Sequence, residues 1–245
     1  MTASDSSEDG TGGGRRLAKV RAALDAGLDR SIAVQQPAIL RLSRLAGYGD
    51  TEATPSQAVA SLEAYYRNTV VGLGAAGGAT AAVPGIGTAG GLIANVGVVG
   101  AYLEATMLYC LALAHIHGVE IQDLDRRRLL LQAVLLGDGG AKTVTKAAER
   151  VGKHWGKKLV GSISIESVRA INKVLGPNFV TKFGTTQGIL VLGREIPLGI
   201  GAGVGAAGNW FIARGTIRAT RAAFGPPPPH WPITADPEDK REAST

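Results

Sequence analysis

The sequence has little cysteine, few aromatic residues and long stretches without charge. A single cysteine, Cys110, among 245 residues excludes an internal disulfide framework and a multi-cysteine zinc site. It lies in an apolar run, so we expect a buried thiol in a reducing compartment. Aromatic residues make up 5% of the chain, whereas glycine occurs 35 times. A core built from such small side chains lets helices approach each other closely.

Two segments contain no charged residue, 68–103 and 196–213. Each contains a proline, then a glycine-rich run and then an asparagine, which is Asn95 in the first segment and Asn209 in the second. Such segments require either close backbone packing or a lipid environment. We expect the two asparagine side chains to form hydrogen bonds between helices rather than to bind a ligand.

The balance of charge is basic, with a net charge of +6 and an isoelectric point near 9.6. This favours contact with an anionic partner, either phospholipid headgroups or nucleic acid. The basic residues are spread over several predicted helices without interleaved aromatic residues, so nucleic-acid binding is the weaker alternative. The first residues are acidic and lack the apolar run of a secretory signal peptide. We therefore expect a cytoplasmic protein, peripherally bound to or partly inserted in the inner face of the cell membrane.

The chain divides into one predicted helical domain and two tails. Residues 1–14 and 226–245 lack the apolar content needed to fold and are expected to be disordered. Between them, in 15–225, apolar residues recur at spacings of three and four, and no alternating pattern of useful length occurs. This pattern predicts an all-α fold with two glycine-rich hydrophobic helical elements.

Local signals predict where several helices begin and end. Prolines in the first turn start helices at Pro37 and Pro55, and Gly118 and Gly225 offer helix ends. Pro84 is expected to interrupt the first charge-free segment, because proline lacks an amide donor and clashes with the preceding turn. Further predicted helices cover 15–32, 122–136, 165–175 and 178–193. The residues expected at the surface of the second of these are Arg126, Arg127 and Arg128.

Residues 141–159 show the clearest amphipathic pattern. Apolar residues recur along one face and include Trp155, which suits a membrane interface. Basic residues repeat with the same period on another face, where they would attract anionic lipid. These basic residues are Lys142, Lys146, Arg150, Lys153 and Lys157. The alternative interpretation is a solvated face on a bundle helix.

Three charged residues lie deepest in apolar sequence: Glu104, Arg194 and Glu195. A buried carboxyl group has a raised pKa unless a cation lies close to it. We therefore expect an ion pair between Glu104 and Arg194 that joins the two glycine-rich elements. The alternative is a polar site between these elements that binds a lipid headgroup or a small solute.

Recognised catalytic and cofactor motifs are incomplete in this sequence. The run Gly72–Gly77 has the spacing of a dinucleotide-binding loop, but no predicted strand precedes it. His115 and His117 lie two residues apart and face different sides of a helix, so they cannot share one metal ion. No serine lies in a nucleophile elbow. The sequence thus predicts neither a cofactor nor a metal, and an uncharacterised hydrolase is a weak alternative.

The order of these signals resembles the EcsC family of bacterial proteins. The similarity rests on four blocks: the glycine-rich entry 72–91, the helix 94–118, the segment 123–138 and the late block 194–209 with its Arg-Glu-Ile-Pro start. It extends over residues 58–224, which is most of the chain.

The resemblance implies a compartment rather than a reaction. The family's namesake is encoded beside an ABC transporter and is associated with secretion, so the implied partner is an integral membrane protein of that kind. No chemistry is established across the family. The chain departs from the family pattern at two positions, because Glu104 stands where we expect an aspartate and His117 where we expect an aromatic residue.

These observations predict a non-enzymatic, membrane-associated protein of the EcsC type. It would bind anionic lipid surfaces through basic amphipathic helices and glycine-rich hydrophobic hairpins. The alternative is a soluble helical protein that holds an apolar or acyl ligand in a glycine-lined core, with Glu104 and Arg194 at the polar end of the ligand.

Overall fold

A computed structural model describes the backbone of residue 22 and of residues 25–81, 88–147, 152–194 and 200–232. Side chains are described for residues 22, 25–76, 97–147, 152–182 and 206–232. All regular secondary structure in these ranges is helical, which confirms the predicted all-α fold. The start of the first predicted helix near Arg15, the predicted break at Pro84 and both chain ends lie outside the described residues.

The described part of the chain begins with a helix at 25–32, named α1. The next helices are α2 (Gln36–Leu45), α3 (Pro55–Ala81), α4 (Thr88–Ile116) and α5 (Leu124–Leu135). They are followed by α6 (Asp138–Ala147), α7 (Trp155–Lys158), α8 (Ile165–Arg194) and α9 (Ile200–Phe224). The first charge-free segment therefore falls on α3 and α4, and the second falls mainly on α9.

Several helix ends follow the local chemistry of the sequence. Pro37 lies in the first turn of α2, where a missing amide hydrogen is not needed. Asp123 caps α5 by accepting a hydrogen bond from the backbone N–H of Arg126 at 2.9 Å. α4 and α9 end before Gly118 and Gly225, whose φ angles of 73° and 75° lie in the left-handed region. The predicted boundaries at these positions are confirmed.

α3 is the central helix, and it packs antiparallel to α9. In the first half of α3, the carboxylate of Glu63 accepts a hydrogen bond from Arg221 Nε, near the end of α9, at 2.6 Å. Farther along α3, the backbone oxygen of Val70 accepts a hydrogen bond from Asn209 Nδ2 of α9 at 2.8 Å. The end of α3 and the start of α9 therefore lie at the same end of the molecule.

α4 also runs antiparallel to α3. The hydroxyl oxygens of Tyr66 in α3 and Thr106 in α4 lie 3.0 Å apart, and the rings of Tyr66 and Tyr109 stack with centroids 4.5 Å apart. Cys110 is buried beside them, as predicted. Burial raises the pKa of the Cys110 thiol to about 12, so the thiol stays protonated and unreactive at neutral pH.

The two ends of this three-helix core differ in composition, and we name them accordingly. The glycine end comprises residues 72–81 of α3, 88–103 of α4 and 200–213 of α9. The histidine end comprises residues 113–118, 152–157 and 221–227 together with the first turn of α3. α5, α6 and α8 pack together beside this core, α7 packs against α9, and α2 packs against α4.

The predicted single helix over 141–159 is wrong. α6 ends at Ala147, and Gly152 and His154 have φ angles of 57° and 60°. Residues in the left-handed region cannot continue a right-handed helix, so α7 begins separately at Trp155. The basic residues predicted for one helix face therefore belong to separate elements.

The surface position expected for the three arginines of α5 is also wrong for Arg127. This side chain is buried and donates hydrogen bonds to backbone oxygens of the segments before α2 and α5. These oxygens belong to Ile32, Val34 and Ile121, at 3.1, 2.6 and 2.8 Å. Arg126 and Arg128 are partly buried, and Arg128 pairs with Asp29 at 2.6 Å.

The two helices predicted over 165–175 and 178–193 form the single helix α8, with Pro177 in its interior. Proline removes one backbone hydrogen bond of the helix. The side chains of Asn178 and Thr181 donate to backbone oxygens one turn back, at 3.1 and 2.9 Å. α8 packs along α5 and α9, and this tertiary contact outweighs the local break.

The proline-rich segment after α9 belongs to the fold as far as Pro232, which corrects the expected tail boundary at residue 226. Trp231 Nε1 donates a hydrogen bond to the backbone oxygen of Ala53 at 3.1 Å. The Trp231 ring also meets Tyr48 edge-on, with centroids 5.0 Å apart. This segment therefore covers part of the histidine end.

Candidate functional site

The glycine end is free of charge over a similar depth on three helices. Counted from this end, the first charged residues are Arg67 on α3, Glu104 on α4 and Arg214 on α9. They lie about 21–24 Å from the helix ends, at 1.5 Å per residue. The hydrocarbon core of a bilayer is about 30 Å thick, so the charge-free depth would reach into this core without crossing it.

An aromatic and arginine cluster borders the glycine end on α9. Phe211 is 68% exposed, and Trp210 meets it edge-on with ring centroids 5.0 Å apart. The guanidinium of Arg214 lies 4.7 Å from the centroid of the Trp210 ring, which is a cation–π contact. Such side chains combine an apolar body with a polar tip and suit the boundary between lipid tails and headgroups. We call Trp210, Phe211 and Arg214 the α9 rim.

Close packing within the chain does not explain the described glycines Gly72 and Gly97 of the glycine end. Apart from its own helix turn, a Cβ atom built at either position meets no atom of the described residues within 4 Å. Gly27 of α1 is the contrasting case, because its Cβ would lie 3.2 Å from Leu103 Cδ1. Among the described residues, the expected close approach of helices is therefore present between Gly27 of α1 and Gly100 of α4, at 3.4 Å from the added Cβ to Gly100 Cα, and absent at Gly72 and Gly97.

Polar contacts join the three core helices next to the charge-free region. The hydrogen bond from Asn209 to α3 bears out the expected helix-to-helix role of this buried side chain, whereas the side chain of Asn95 lies outside the described residues. The hydroxyl oxygens of Tyr102 and Thr216 lie 3.3 Å apart. Burial raises the pKa values of Tyr66 and Tyr102, so both hydroxyls keep their protons and connect α4 with α3 and α9.

Glu104 is not buried, contrary to the expectation. Its side chain is 50% exposed, and a carboxylate oxygen lies 3.7 Å from Nε of Arg30, which is 82% exposed. The described ion-pair partner of Glu104 is thus Arg30, because α1 runs beside this part of α4. The expected partner Arg194 is the last residue of α8. Its side chain and the whole of Glu195 lie outside the described residues.

The basic residues predicted for one lipid-binding face are divided between α6 and the histidine end. Those that the structure describes are exposed: Lys142, Lys146, Lys153 and Lys157. The side chain of Arg150 lies outside the described residues. Trp155 is 3% exposed, so it belongs to the core and not to an interface. A flat membrane in contact with the glycine end would not reach Lys153 and Lys157, which lie at the opposite end.

One stretch in the described residues, Gly97–Ile116 of α4, is long and apolar enough to cross a membrane. This finding rests on length and composition alone. Of that window, 61% is buried inside the protein, and a buried core helix passes the same test. The stretch therefore does not by itself separate membrane insertion from ordinary core packing.

The histidines do not form a metal site with other described residues. Within these residues, no three side chains of histidine, cysteine, aspartate or glutamate lie close enough to hold a metal ion. His115 packs against the Tyr48 ring, with centroids 4.4 Å apart. His117 stacks on Phe224, with centroids 5.5 Å apart. The two histidines thus contact different neighbours, as expected from their positions on different helix faces.

The α9 rim was not a candidate in the sequence, although a signal for it exists. Trp210 and Arg214 are four residues apart, which places them on one helix face. Phe211 follows Trp210 directly and is three residues before Arg214. An aromatic pair and an arginine at the end of a charge-free segment are the pattern that indicates this rim.

No family model, no curated protein and no solved structure matches this chain.

Proposed function

We propose that the protein binds the anionic inner face of the cell membrane, with the glycine end entering the lipid. The observation that carries this proposal is the charge-free depth shared by α3, α4 and α9, which measures about 21–24 Å. A lone charge at the bilayer centre costs about 2.5–3.5 kcal/mol on insertion scales. The charge-free lengths of α3, α4 and α9 avoid this cost. The neighbouring helices do carry charges there: Asp25 lies two residues before Gly27, which packs against Gly100 of α4, and Arg194 ends α8 shortly before α9 begins at Ile200.

The α9 rim supplies the second part of the proposal. Phe211 is exposed to water, and full burial of such a side chain in an apolar phase contributes about 1.5–3 kcal/mol. Arg214 would lie at the level of the phosphate groups, where a basic residue contributes about 1 kcal/mol. Trp210 directly precedes Phe211 in sequence, and its ring contacts the side chains of both Phe211 and Arg214. The rim therefore sets the depth at which the glycine end stops.

The lysines of α6 and of the histidine end have a different role in this proposal. They add to the net charge of +6, which attracts the protein to an anionic membrane as it approaches. Once the glycine end is bound, Lys153 and Lys157 lie beyond the Debye length of about 10 Å. The EcsC resemblance is consistent with this placement, and an ABC transporter as partner follows from that resemblance alone. The alternative of a glycine-lined acyl pocket has less support, because Glu104, its expected polar end, pairs with Arg30 at the surface.

Flotation of the purified protein with liposomes of graded anionic lipid content tests the proposal. We expect flotation that increases with anionic lipid and that persists after high salt and a carbonate wash, because the apolar part of the contact is not screened by salt. Flotation that high salt removes entirely would mean that only the basic surface docks. Absence of flotation would contradict the proposal and favour the acyl-pocket alternative.

Two exposed apolar residues provide a matched pair of variants. Phe211 and Leu45 are 68% and 70% exposed, but Leu45 ends α2, away from the glycine end. We expect Phe211→Glu to abolish the salt-resistant fraction and Leu45→Glu to leave it unchanged. An equal effect of the two variants would contradict a specific role of the rim.

Charge reversal of the basic residues between 146 and 157 tests whether these residues or the glycine end hold the protein on the membrane. We expect the combined replacement of Lys146, Arg150, Lys153 and Lys157 by Glu to slow binding and to leave the salt-resistant fraction in place. Complete loss of binding in this variant would assign membrane docking to the basic face instead of the glycine end.

A further inference from the structure

An open cleft of about 470 Å³ lies at the histidine end, away from the proposed membrane contact. The first turn of α3, the end of α4 and the end of α9 meet there with the segments that flank α7 and follow α9. The side chains that matter for its chemistry are those of Ser56, Val59, Leu113, His117, His154 and Arg221. We propose that this cleft binds a small organic anion that joins a phosphate or carboxylate group to an apolar body.

The imidazole of His154 is held at the cleft by a backbone conformation that residues other than glycine adopt only rarely. His154 has a φ angle of 60°, the only positive value among the described residues other than glycine. Such a conformation costs a non-glycine residue about 1–3 kcal/mol, and it persists where the surrounding structure imposes it, often at functional sites. Gly225 makes it possible, because a Cβ atom there would lie 2.6 Å from His154 Nδ1. The ring is thus fixed against the backbone at the cleft wall.

The second histidine of the cleft is neutral at physiological pH. Burial, together with the nearby charges of Lys157 and His154, lowers the pKa of His117 to about 4. Its Nδ1 is buried and has no hydrogen-bond partner among the described residues. A buried polar atom without a partner is unfavourable, and His117 also lines the cleft. His117 therefore adds hydrogen-bonding capacity to the cleft without adding charge.

The permanent charge of the cleft is positive. Arg221 binds Glu63 through Nε and Nη2, so the charge of this buried carboxylate is matched and the other N–H groups of the guanidinium remain for a ligand. Lys157 Nζ lies 3.4 Å from the backbone oxygen of Pro226 at the rim of the cleft. With Glu63 matched by Arg221, Lys157 leaves one net positive charge, which favours an anion, and phosphate and carboxylate groups match the geometry of the remaining arginine N–H groups.

The remaining walls of the cleft are apolar, and they indicate that the ligand has an apolar part. They are formed by Val59, Ala60, Leu113, Pro226 and Pro227. An inorganic anion would leave these walls in contact with water, whereas an organic anion would cover them and gain from the burial of apolar surface. The cleft therefore suits an anion with a hydrocarbon or aromatic part rather than a free ion.

Titration of the full chain with phenyl phosphate and with benzoate, followed by histidine NMR signals, tests this proposal. We expect one or both compounds to shift the imidazole signals of His117 and His154 at millimolar concentration, and His115 to be unaffected. Absence of any shift with both compounds would overturn the proposal. Inorganic phosphate bound as tightly as phenyl phosphate would overturn the assigned role of the apolar walls.

Two variants keep the test independent of folding. His154→Gly removes the imidazole and suits the left-handed backbone, and Lys157→Ser removes an exposed cation. We expect each variant to weaken binding about fivefold or more, as for the loss of one charge-assisted contact. Lys142→Ser, an exposed lysine on α6, is the matched control and should bind as the unmodified chain does. Equal affinity in all three variants would contradict the assignment.

Discussion

The glycines at the two ends of the molecule occupy opposite kinds of environment. At the histidine end, Gly118 and Gly225 have positive φ angles, and a Cβ atom at either would collide with a neighbour at 2.8 or 2.6 Å. At the glycine end, Gly72 and Gly97 lie in helices, and a Cβ atom at either would meet no described residue outside its own helix turn within 4 Å. The backbone thus requires glycine at the histidine end, whereas at these two positions the protein's own packing does not. Glycine content alone does not indicate tight packing.

Among the variants that compare the two ends, Arg127→Met is expected to cause the largest loss in the free energy of unfolding. Arg127 lies at the start of α5, next to the histidine end, and its removal leaves three backbone oxygens without this donor. Each buried polar group that loses its partner costs about 1–3 kcal/mol, so we expect a loss of about 3 kcal/mol in urea unfolding. Arg128→Met, which breaks a surface pair with Asp29, is the control and should cost under about 1 kcal/mol. Equal losses in Arg127→Met and Arg128→Met would contradict the special role of the buried arginine.

Gly225→Ala tests the histidine end at its tightest described turn. We expect a loss of about 2 kcal/mol in the free energy of unfolding, because alanine is strained at this φ and its Cβ would displace the His154 ring. The displacement would also move the His154 imidazole signal in the NMR spectrum. An unchanged unfolding midpoint would show that the loop before α7 can move away and make room for the methyl group.

Gly72→Ala and Gly97→Ala are the opposite test at the glycine end. We expect each to raise the free energy of unfolding by about 0.5–1 kcal/mol, because alanine is the better helix former and each site has room for a methyl group. Urea denaturation in the absence of lipid provides the measurement. Destabilisation by either variant would mean that glycine is needed for packing there after all.

The pH dependence of stability provides a further test of the histidine end. The pKa of His117 is lowered to about 4 in the folded protein, while an unfolded histidine titrates near about 6.5. Between these values the unfolded state binds more protons, so stability falls as the pH decreases from about 6.5 towards 4. His117→Gln should unfold with a shallower decline over this range. Urea midpoints at several pH values measure it, and an unchanged slope would contradict the role of His117.

The smallest effect is expected for the exposed pair between the ends. Exchange of charges in Arg30→Glu with Glu104→Arg should change the free energy of unfolding by less than about 0.5 kcal/mol, because both side chains are solvated. A large loss that the double exchange restores would show that the pair supports α1 on α4. Thermal unfolding of both single variants and the double variant measures this coupling.

The elements that sequence analysis predicted correctly depend on local signals. Pro37, Gly118 and Gly225 mark helix boundaries through their own backbone preferences, and the structure has the boundaries there. The amphipathic pattern over 141–159 failed because periodicity does not reveal the left-handed turn at His154. Tertiary packing likewise carries α8 through Pro177. Both errors come from contacts between residues distant in sequence.

The candidate site was predictable only in part. The charge-free segments are visible in composition, but the shared depth of their charged borders depends on how α3, α4 and α9 pair. The environment of Glu104 depends on α1, which no local pattern places beside it. Arg127 did carry a usable signal, because positions 127, 130, 131 and 134 repeat at helical spacing and all are buried. Its charge led to the expectation of a surface position.

The pairing of α3 with α9 has a consequence for the synthesis of the protein. The bond between Val70 and Asn209 joins residues 139 positions apart, and that between Glu63 and Arg221 joins residues 158 positions apart. A ribosome adds about 5–20 residues per second, so α3 emerges many seconds before its partner helix exists. During this interval the face of α3 that later packs against α9, including the buried Glu63, lacks its partner, so the nascent chain keeps this face exposed until α9 has been made.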